Sequence, residues 1–282
     1  NQLATYWNHE INTKLTTDTM QNMALEMNFS ESTFIEEPTS GEYAAKVRIF
    51  TPAREIPFAG HPTVGTAFVL KHQNLINKDV SDAILELGVG PIPVDYLPDG
   101  SIRMRQNEPE FMDIWGDKVS LASALNIEQE DIATSSPMQW VSTGFPFLIV
   151  PLKSLDAVKR ASPNPSEILG SLDGPINKQV MIFSTETENE DSHVHSRMFA
   201  PEVGVVEDPA TGSAAGPLTA YLEQYGILNR EKRGEDIVIE QGYEIKRPSR
   251  IVGKVIGEDD FVGVYVSGLT RLVAEGTFYL DT

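Results

Sequence analysis

Two related segments, one in each half of the 282-residue chain, constrain the fold more than any other feature. The first reads Arg48-Ile-Phe-Thr-Pro52 and then Pro57-Phe-Ala-Gly-His-Pro-Thr-Val-Gly-Thr-Ala67, and the second reads Arg197-Met-Phe-Ala-Pro201 and then Glu207-Asp-Pro-Ala-Thr-Gly-Ser-Ala-Ala-Gly216. In both, a strand-like ending leads through a polar, glycine-containing turn into a stretch compatible with a helix. The repeat is far longer than the roughly 20–50 residues typical of solenoids. We therefore expect two similar halves that face each other, with a ligand site between their matching loops.

The two segments can be aligned in two registers. One pairs His61-Pro62 with Asp208-Pro209. The other pairs Gly60-His61 with Gly212-Ser213, so that two helix N-termini match. The pattern of residues leaves both registers open.

Composition excludes several classes of function. The formal net charge of −19 argues against binding to nucleic acid or to an anionic membrane, since both need a basic surface. A small anionic substrate stays compatible, because helix N-termini and backbone amides bind carboxylates locally. The absence of cysteine excludes disulfides, thiolate catalysis and cysteine-ligated metals. With no long apolar run and no signal peptide, we expect a cytoplasmic protein.

Hydrophobic periodicity and turn residues predict an α+β fold with many strands and few helices. Helices are predicted over Leu15–Asn28, Pro62–Lys71, Asp117–Asn126, Ser166–Leu172 and Ser213–Tyr225. Strands are predicted over Thr33–Ile35, Ala45–Phe50, Ala83–Leu87, Ile92–Asp95, Ile102–Gln106, Phe147–Val150, Gln179–Phe183, Val194–Phe199, Asp236–Glu240, Ile251–Ile256, Phe261–Val266 and Leu272–Leu280. The chain opens like the interior of an element, which predicts a further strand upstream of Asn1.

Two turns before predicted helices combine groups that bind or react. Gly60-His61 precedes a predicted helix, whose N-terminal amides suit an anion; the alternative is that His61 only caps the helix. The segment from Asp208 to Gly212 and Ser213 offers a carboxylate, free backbone amides and a hydroxyl. Its structural alternative is an Asx-Pro turn in which Ser213 is the N-cap.

Glu31 lies between a predicted helix and a predicted strand, next to apolar Phe29 and close to Phe34. A partly desolvated glutamate has a raised pKa and can act as an acid or a base near neutral pH. The alternative is an ordinary solvated junction residue.

Two other polar clusters favour structural interpretations. His193 and His195 share one face of a strand, but no third metal ligand is evident, and exposed histidines are the simpler interpretation. Glu186, Glu188 and Glu190, together with Asp191, predict a solvated loop. No nucleotide-binding glycine motif occurs, and we expect neither a metal nor a cofactor.

In combination, four segments resemble the phenazine-biosynthesis PhzF-like family. They are Ser30-Glu31-Ser32-Thr33-Phe34, Arg48-Ile-Phe-Thr-Pro52, Glu55-Ile-Pro-Phe-Ala-Gly-His-Pro-Thr-Val-Gly-Thr-Ala67 and Glu207-Asp-Pro-Ala-Thr-Gly-Ser-Ala214. Asn1-Gln-Leu-Ala further resembles the turn after the family's opening strand. The resemblance runs along the whole chain.

The resemblance implies a fold similar to that of diaminopimelate epimerase: two pseudo-symmetric α+β halves, each a curved, mainly antiparallel sheet around a central helix, with the site in the cleft between them. It favours the register that matches Gly60 with Gly212. Residues 1–115 and about 267–282 would form the N-terminal half, to which the last strand returns, and residues 116–266 the C-terminal half. Members of the family commonly form homodimers.

The resemblance also assigns roles to individual residues. It implies that Glu31 shuttles a proton, that His61, Asp208 and Ser213 line the site, and that Gly60 and Gly212 supply backbone amides. We further expect Asp208 or His61 to assist Glu31 in catalysis, and Gly60, Gly212 and Ser213 to bind the substrate. The cysteines used by epimerases of this fold would correspond to Ala59 and Thr211, so two-thiol racemisation is excluded here.

Together these features predict a cofactor-independent isomerase that moves a proton within a small carboxylate substrate. Two alternatives stay open: an epimerase or racemase that uses carboxylate and imidazole groups, and a metabolite-binding protein that has the fold without the chemistry.

Overall fold

The computed structural model describes residues 1–7, 15–172, 178–228, 234–257 and 263–280. Within these ranges the helices are α1 (Thr17–Met27), α2 (Gly60–His72), α3 (Lys118–Leu125), α4 (Leu155–Arg160), α5 (Pro165–Ser171) and α6 (Gly212–Gln224). The strands are β1 (Leu3–Tyr6), β2 (Glu31–Glu36), β3 (Ala45–Phe50), β4 (Glu55–Ile56), β5 (Asp82–Leu87), β6 (Gly90–Tyr96), β7 (Ile102–Gln106), β8 (Glu110–Ile114), β9 (Gln139–Ser142), β10 (Pro146–Pro151), β11 (Val180–Ser184), β12 (Val194–Ala200), β13 (Val205–Asp208), β14 (Ile237–Gln241), β15 (Ser249–Ile256) and β16 (Gly263–Gly268). None of the helices described here is long and apolar enough to cross a membrane.

The strands form one curved mixed sheet in the order β1-β2-β3-β5-β6-β7-β16-β15-β14-β12-β11-β10-β9-β8, with β4 beside β3 and β13 beside β12. Its pairing pattern occurs twice. β1 runs parallel to β2 as β10 runs parallel to β11, and β3 runs parallel to β5 as β12 runs parallel to β14. Antiparallel pairs complete each half in matching order. The α+β class and the two similar halves are therefore confirmed.

Each half packs its strands around one central helix. In the first half, Ala67 and Leu70 of α2 are buried against side chains of β3, β5 and β7. In the second half, Leu218 and Tyr221 of α6 are buried against strands that include β10, β12 and β14. Both helices are mostly apolar and small on every side, which is typical of helices enclosed by a sheet. The two repeated segments of the sequence therefore contain the starts of the two central helices.

The structure confirms most of the predicted elements to within a few residues, and Thr16 caps α1 by accepting a hydrogen bond from the Thr19 amide. The predicted strand Leu272–Leu280 is wrong. Residues 269–280 pair with no strand in the described chain, and Val273 and Tyr279 are mainly exposed. The alternating hydrophobic pattern is present, but no described strand lies beside this segment to pair with it. Phe278 nevertheless contacts the Tyr6 ring. Phe261, at the start of another predicted strand, lies outside the described residues; β16 begins at Gly263.

The division between the halves stays a prediction. β8 pairs with β9, and this pairing favours a boundary just before Glu110 rather than after residue 115. β16 pairs with β7 on one side and β15 on the other, so it joins the two halves into one sheet. The sequence showed none of the short strands β4, β8, β9 and β13, because each contains few residues and little alternation.

We predict that Gly253→Ala destabilises the fold. A methyl group at this position of β15 would overlap the buried Thr219 hydroxyl of α6, which itself donates to the Ala215 carbonyl. Overpacking of this kind costs about 1–3 kcal/mol, measurable as a lower urea midpoint.

Gly170→Ala is the matched control, because Gly170 lies in α5 with open space around it. It should not destabilise the protein, since alanine is the better helix former. Equal urea midpoints for the two variants would contradict the packing described here.

Candidate active site

Each half carries the same strand, ion pair and helix in succession. Arg48 of β3 makes two hydrogen bonds to Glu55, with Nε–Oε1 and Nη2–Oε2 distances of 2.8 and 2.7 Å. Arg197 of β12 makes the same two bonds to Glu207, at 2.9 and 2.8 Å. Glu55 and Glu207 stand at the same spacing before the first residues of α2 and α6. This geometry selects the register in which the two helix N-termini match.

The N-termini of α2 and α6 meet at the junction of the halves. Gly60 and Gly212 are their first residues, and a Cβ atom on Gly60 would lie 3.1 Å from the Ser213 nitrogen. The N-cap positions are Ala59 and Thr211, and neither side chain caps its helix. Because both ends lack a capping side chain, their amide groups are suited to an anionic ligand.

The structural alternatives for His61 and Ser213 are therefore wrong. Each is the second residue of its helix rather than a cap. The N-cap of α6 is Thr211, two positions before the Ser213 that the sequence suggested, because the helix already begins at Gly212.

Glu31, the first residue of β2, faces the N-terminus of α2. Its Oε2 lies 3.3 Å from His61 Nε2, and the two side chains are only 18% and 21% exposed. Glu31 Oε2 nevertheless has no hydrogen bond among the described residues. Burial raises the pKa of Glu31 to about 7, the Ser30 hydroxyl opposes this shift, and the Asp208 carboxylate adds to it. Glu31 can thus take up or release a proton near neutral pH.

His61 is an uncharged partner of Glu31. Its Nε2 lies 3.3 Å from the Gln2 carbonyl oxygen, which can only accept, so this nitrogen carries the hydrogen. Its Nδ1 faces the Asn1 amide at 3.4 Å. Burial lowers the pKa of His61 to about 3, so the imidazole is neutral at pH 7 and does not form an ion pair with Glu31.

Asp208 approaches the same junction from the second half, at the end of β13. Its Oδ1 accepts a hydrogen bond from Asn1 Nδ2 at 2.7 Å, and its Oδ2 accepts one from the Thr211 hydroxyl at 2.5 Å. Burial raises the pKa of Asp208, and these two hydrogen bonds oppose the shift. Glu31, His61 and Asp208 are thus brought together, as the sequence predicted.

Three polar residues of the site did not stand out in the sequence. Asn1 links Asp208 of the second half to His61 of the first. Gln106 of β7 donates to the Gly212 carbonyl at 2.8 Å, which ties the first half to the start of α6. Gln241 of β14 holds the loop between Asp208 and Thr211. Gln106 and Gln241 could have been identified from the sequence by one signal, which is a glutamine at the end of an otherwise apolar or alternating strand.

The histidine pair is not the exposed pair that the sequence suggested. His195 is fully buried between Glu240 and Glu244, whose oxygens lie 2.8 and 2.9 Å from its two nitrogens. Burial opposes protonation of His195, but these carboxylates outweigh it and raise the pKa. His193 accepts a hydrogen bond from the Val238 amide instead of facing a metal. Across the described ranges, no three histidine or acidic side chains are grouped to hold a metal ion. The acidic loop beginning at Glu186 is exposed, as predicted.

Comparisons with known proteins show the family and the fold of the chain. The sequence profile of a family described as phenazine biosynthesis-like protein matches residues 1–276. The trans-2,3-dihydro-3-hydroxyanthranilate isomerase of Pseudomonas aeruginosa is 36% identical over 271 residues, covering 94% of this chain and 90% of the relative. The crystal structure of a PhzF-family phenazine biosynthesis protein from Bacillus anthracis superposes with a TM-score of 0.83 at 31% identity, covering 90% of this chain and 86% of that one.

The fold also extends to racemases. A probable proline racemase from Agrobacterium radiobacter superposes with a TM-score of 0.60 at 10% identity, covering 98% of this chain and 90% of that one. Identity at this level shows a shared fold and nothing further about the reaction.

We predict that the raised pKa of Glu31 makes stability depend on pH. Between the ordinary pKa of 4.5 and about 7, the unfolded chain ionises Glu31 while the folded protein keeps the proton. Stability is therefore lost as pH rises through this window, by up to about 3 kcal/mol. Glu31→Gln removes this loss.

The measurement is the urea unfolding free energy of both proteins at about pH 4 and pH 8. The Glu31→Gln variant should gain stability relative to the wild type as pH rises. A difference between the two that does not change with pH would contradict the raised pKa.

Proposed function

The chain belongs to the family of phenazine biosynthesis-like proteins, and we propose that it is an isomerase in which Glu31 moves a proton within a small carboxylate substrate. One observation carries this proposal. A buried carboxyl oxygen with no hydrogen bond in the described chain lies beside the uncapped N-terminus of α2, where that of α6 meets it, and its group titrates near neutral pH. A proton carrier and an anion-binding site therefore share one cleft.

Substrate binding is the first step of the proposal. A carboxylate of the substrate accepts hydrogen bonds from amides at the starts of α2 and α6, among them those of Gly60, Gly212 and Ser213. The chain carries a net charge of −19, so this local field, rather than the overall charge, attracts the anion. The bound substrate displaces water from Glu31, which favours proton transfer.

Proton transfer is the second step. The ionised Glu31 removes a proton from a carbon of the substrate and returns it to another carbon on the same face, so one base suffices. The neutral His61, whose Nε2 lies 3.3 Å from Glu31 Oε2, stands beside the carboxyl group without adding a charge to it. Asp208 accepts hydrogen bonds from the opposite side and orients polar groups of the substrate.

The substrate class is the finer part of the proposal. The Pseudomonas aeruginosa relative is named for trans-2,3-dihydro-3-hydroxyanthranilate, a small cyclic amino carboxylate. A ligand of this type has the anionic group that the helix N-termini accommodate, so we propose this compound or a close analogue. We also propose a cytoplasmic homodimer that works without a cofactor.

Epimerisation is the second candidate function. Inversion at carbon needs one acid–base group on each face of the substrate, and Glu31 and Asp208 come from opposite halves of the fold. In D2O, inversion would leave deuterium at the inverted centre, whereas a proton shift would leave it at a different carbon. A metabolite-binding protein would bind the ligand and exchange nothing.

The proposal predicts that Glu31→Gln abolishes carbon-proton exchange and preserves binding. The assay follows deuterium uptake from D2O by NMR with trans-2,3-dihydro-3-hydroxyanthranilate and related amino carboxylates. Loss of a general acid–base group lowers turnover about 10²–10⁴-fold. Calorimetry should show an affinity close to that of the wild type.

Glu36→Gln is the matched control, because Glu36 is a similarly buried acid on the same strand that pairs with Lys46 away from the cleft. It should retain exchange. If Glu31→Gln turned over within a few-fold of the wild type, the assignment of Glu31 would fail. If the wild type bound the panel without any exchange, a binding role would replace the enzymatic one.

A further inference from the structure

The side chain of Gln241 has a fixed orientation at the end of β14. It is fully buried, its Oε1 lies 3.2 Å from the Thr211 nitrogen, and its Nε2 lies 2.6 Å from the Asp208 carbonyl oxygen. A backbone amide can only donate and a carbonyl can only accept. The two contacts therefore distinguish the amide oxygen of Gln241 from its nitrogen.

This orientation fixes the direction of the next hydrogen bond. Gln241 Nε2 also donates to the Thr211 hydroxyl oxygen at 3.0 Å. The hydroxyl has one hydrogen, and its remaining close partner is Asp208 Oδ2 at 2.5 Å. The hydrogen of Thr211 therefore points at the carboxyl group of Asp208.

The other oxygen of Asp208 is also an acceptor. Asn1 Nδ2 lies 3.1 Å from the Ala210 carbonyl oxygen, which identifies it as the nitrogen, and it donates to Asp208 Oδ1. Both carboxyl oxygens of Asp208 thus receive hydrogens. Hydrogen bonds of this direction favour the ionised form. The arrangement differs from that of Glu31, whose Oε2 has no hydrogen bond in the described structure.

We propose that Thr211 and Gln241 are positioning residues that hold Asp208 as a fixed, ionised hydrogen-bond acceptor. A consequence, which rests on the proposed function, is that Glu31 alone of the two acids exchanges a proton during turnover. Gln241 acts on the carboxyl group of Asp208 through Thr211, whereas its direct contact with Asp208 is to the backbone carbonyl oxygen. The internal repeat does not predict this role, because Ala59 is the residue that corresponds to Thr211 in the first half and has no hydroxyl.

Other charged groups near Asp208 lie on the neighbouring elements. Glu31 faces it from β2 and disfavours its ionised form by like-charge repulsion. His61 of α2 is neutral and is linked to it through Asn1. Glu240, next to Gln241 on β14, is bound by His195. The hydroxyl of Thr211 and the side-chain amide of Asn1 oppose its protonation most, and the amino group of Asn1 and the backbone amide of Ala210 contribute less.

The test is a carboxyl-carbon NMR titration of the full chain with 13C-labelled aspartate and no ligand, in which Asp208→Asn assigns the signal. Thr211→Val removes the hydroxyl, and we expect the midpoint of Asp208 to rise by about one pH unit. Thr211→Ser keeps the hydroxyl and should restore the wild-type midpoint. Gln241→Met should raise the midpoint in the wild-type background and leave it unchanged in the Thr211→Val background.

Three results would overturn the proposal. They are an unchanged Asp208 midpoint in Thr211→Val, failure of Thr211→Ser to restore it, and an equal effect of Gln241→Met with and without the Thr211 hydroxyl. Gln241→Met leaves Thr211 intact and tests the same hydrogen-bond chain should Thr211→Val fail to fold. The titration needs no substrate, so it separates failure of this proposal from failure of the proposed activity.

Discussion

The close approach of two helix N-termini is the constraint on which the rest of this structure depends. The starts of α2 and α6 meet at Gly60 and Gly212, where a single added Cβ atom would come within 3.1 Å of the facing backbone. Two positive dipole ends at this distance repel each other unless negative charge is close by. Asp208 from one half, and Glu31 from the other once it is ionised, provide that charge, and a bound carboxylate would add to it. The need for an anion is therefore a property of the fold and not of one side chain.

Hydrogen-bond direction gives the two buried acids of the site different properties. Asp208 receives hydrogens on both oxygens, whereas Glu31 keeps one oxygen without a hydrogen bond in the described chain. The neutral imidazole of His61 stands beside Glu31 without compensating its charge. A pair of acids whose environments differ in this way is typical of sites that use one as a proton carrier and the other as a fixed partner.

The sequence predicted the features that depend on local pattern. The repeated segments indicated both central helices with His61 and Asp208 between them, and the family resemblance added Glu31. The residue pattern left the register open, and the Arg48–Glu55 and Arg197–Glu207 pairs support the register that the resemblance favoured. The predictions that were wrong concern features that depend on residues far away along the chain. Alternating hydrophobicity over residues 272–280 predicted a strand, but no strand of the described structure pairs with this segment. The burial of His195 depends on Glu240 and Glu244, which lie more than 40 residues away in the sequence. Asn1 and Gln241 were missed for the same reason.

The most direct test of a ligand site between the helices is the response of the Gly60 and Gly212 amides. The Glu31→Gln protein, labelled with 15N-glycine, would be titrated with trans-2,3-dihydro-3-hydroxyanthranilate, which it should bind without turnover. A shared site predicts that both amide signals shift together with one dissociation constant, while the signal of exposed Gly170 stays in place. Saturable binding that leaves the Gly60 and Gly212 signals unchanged would contradict the account.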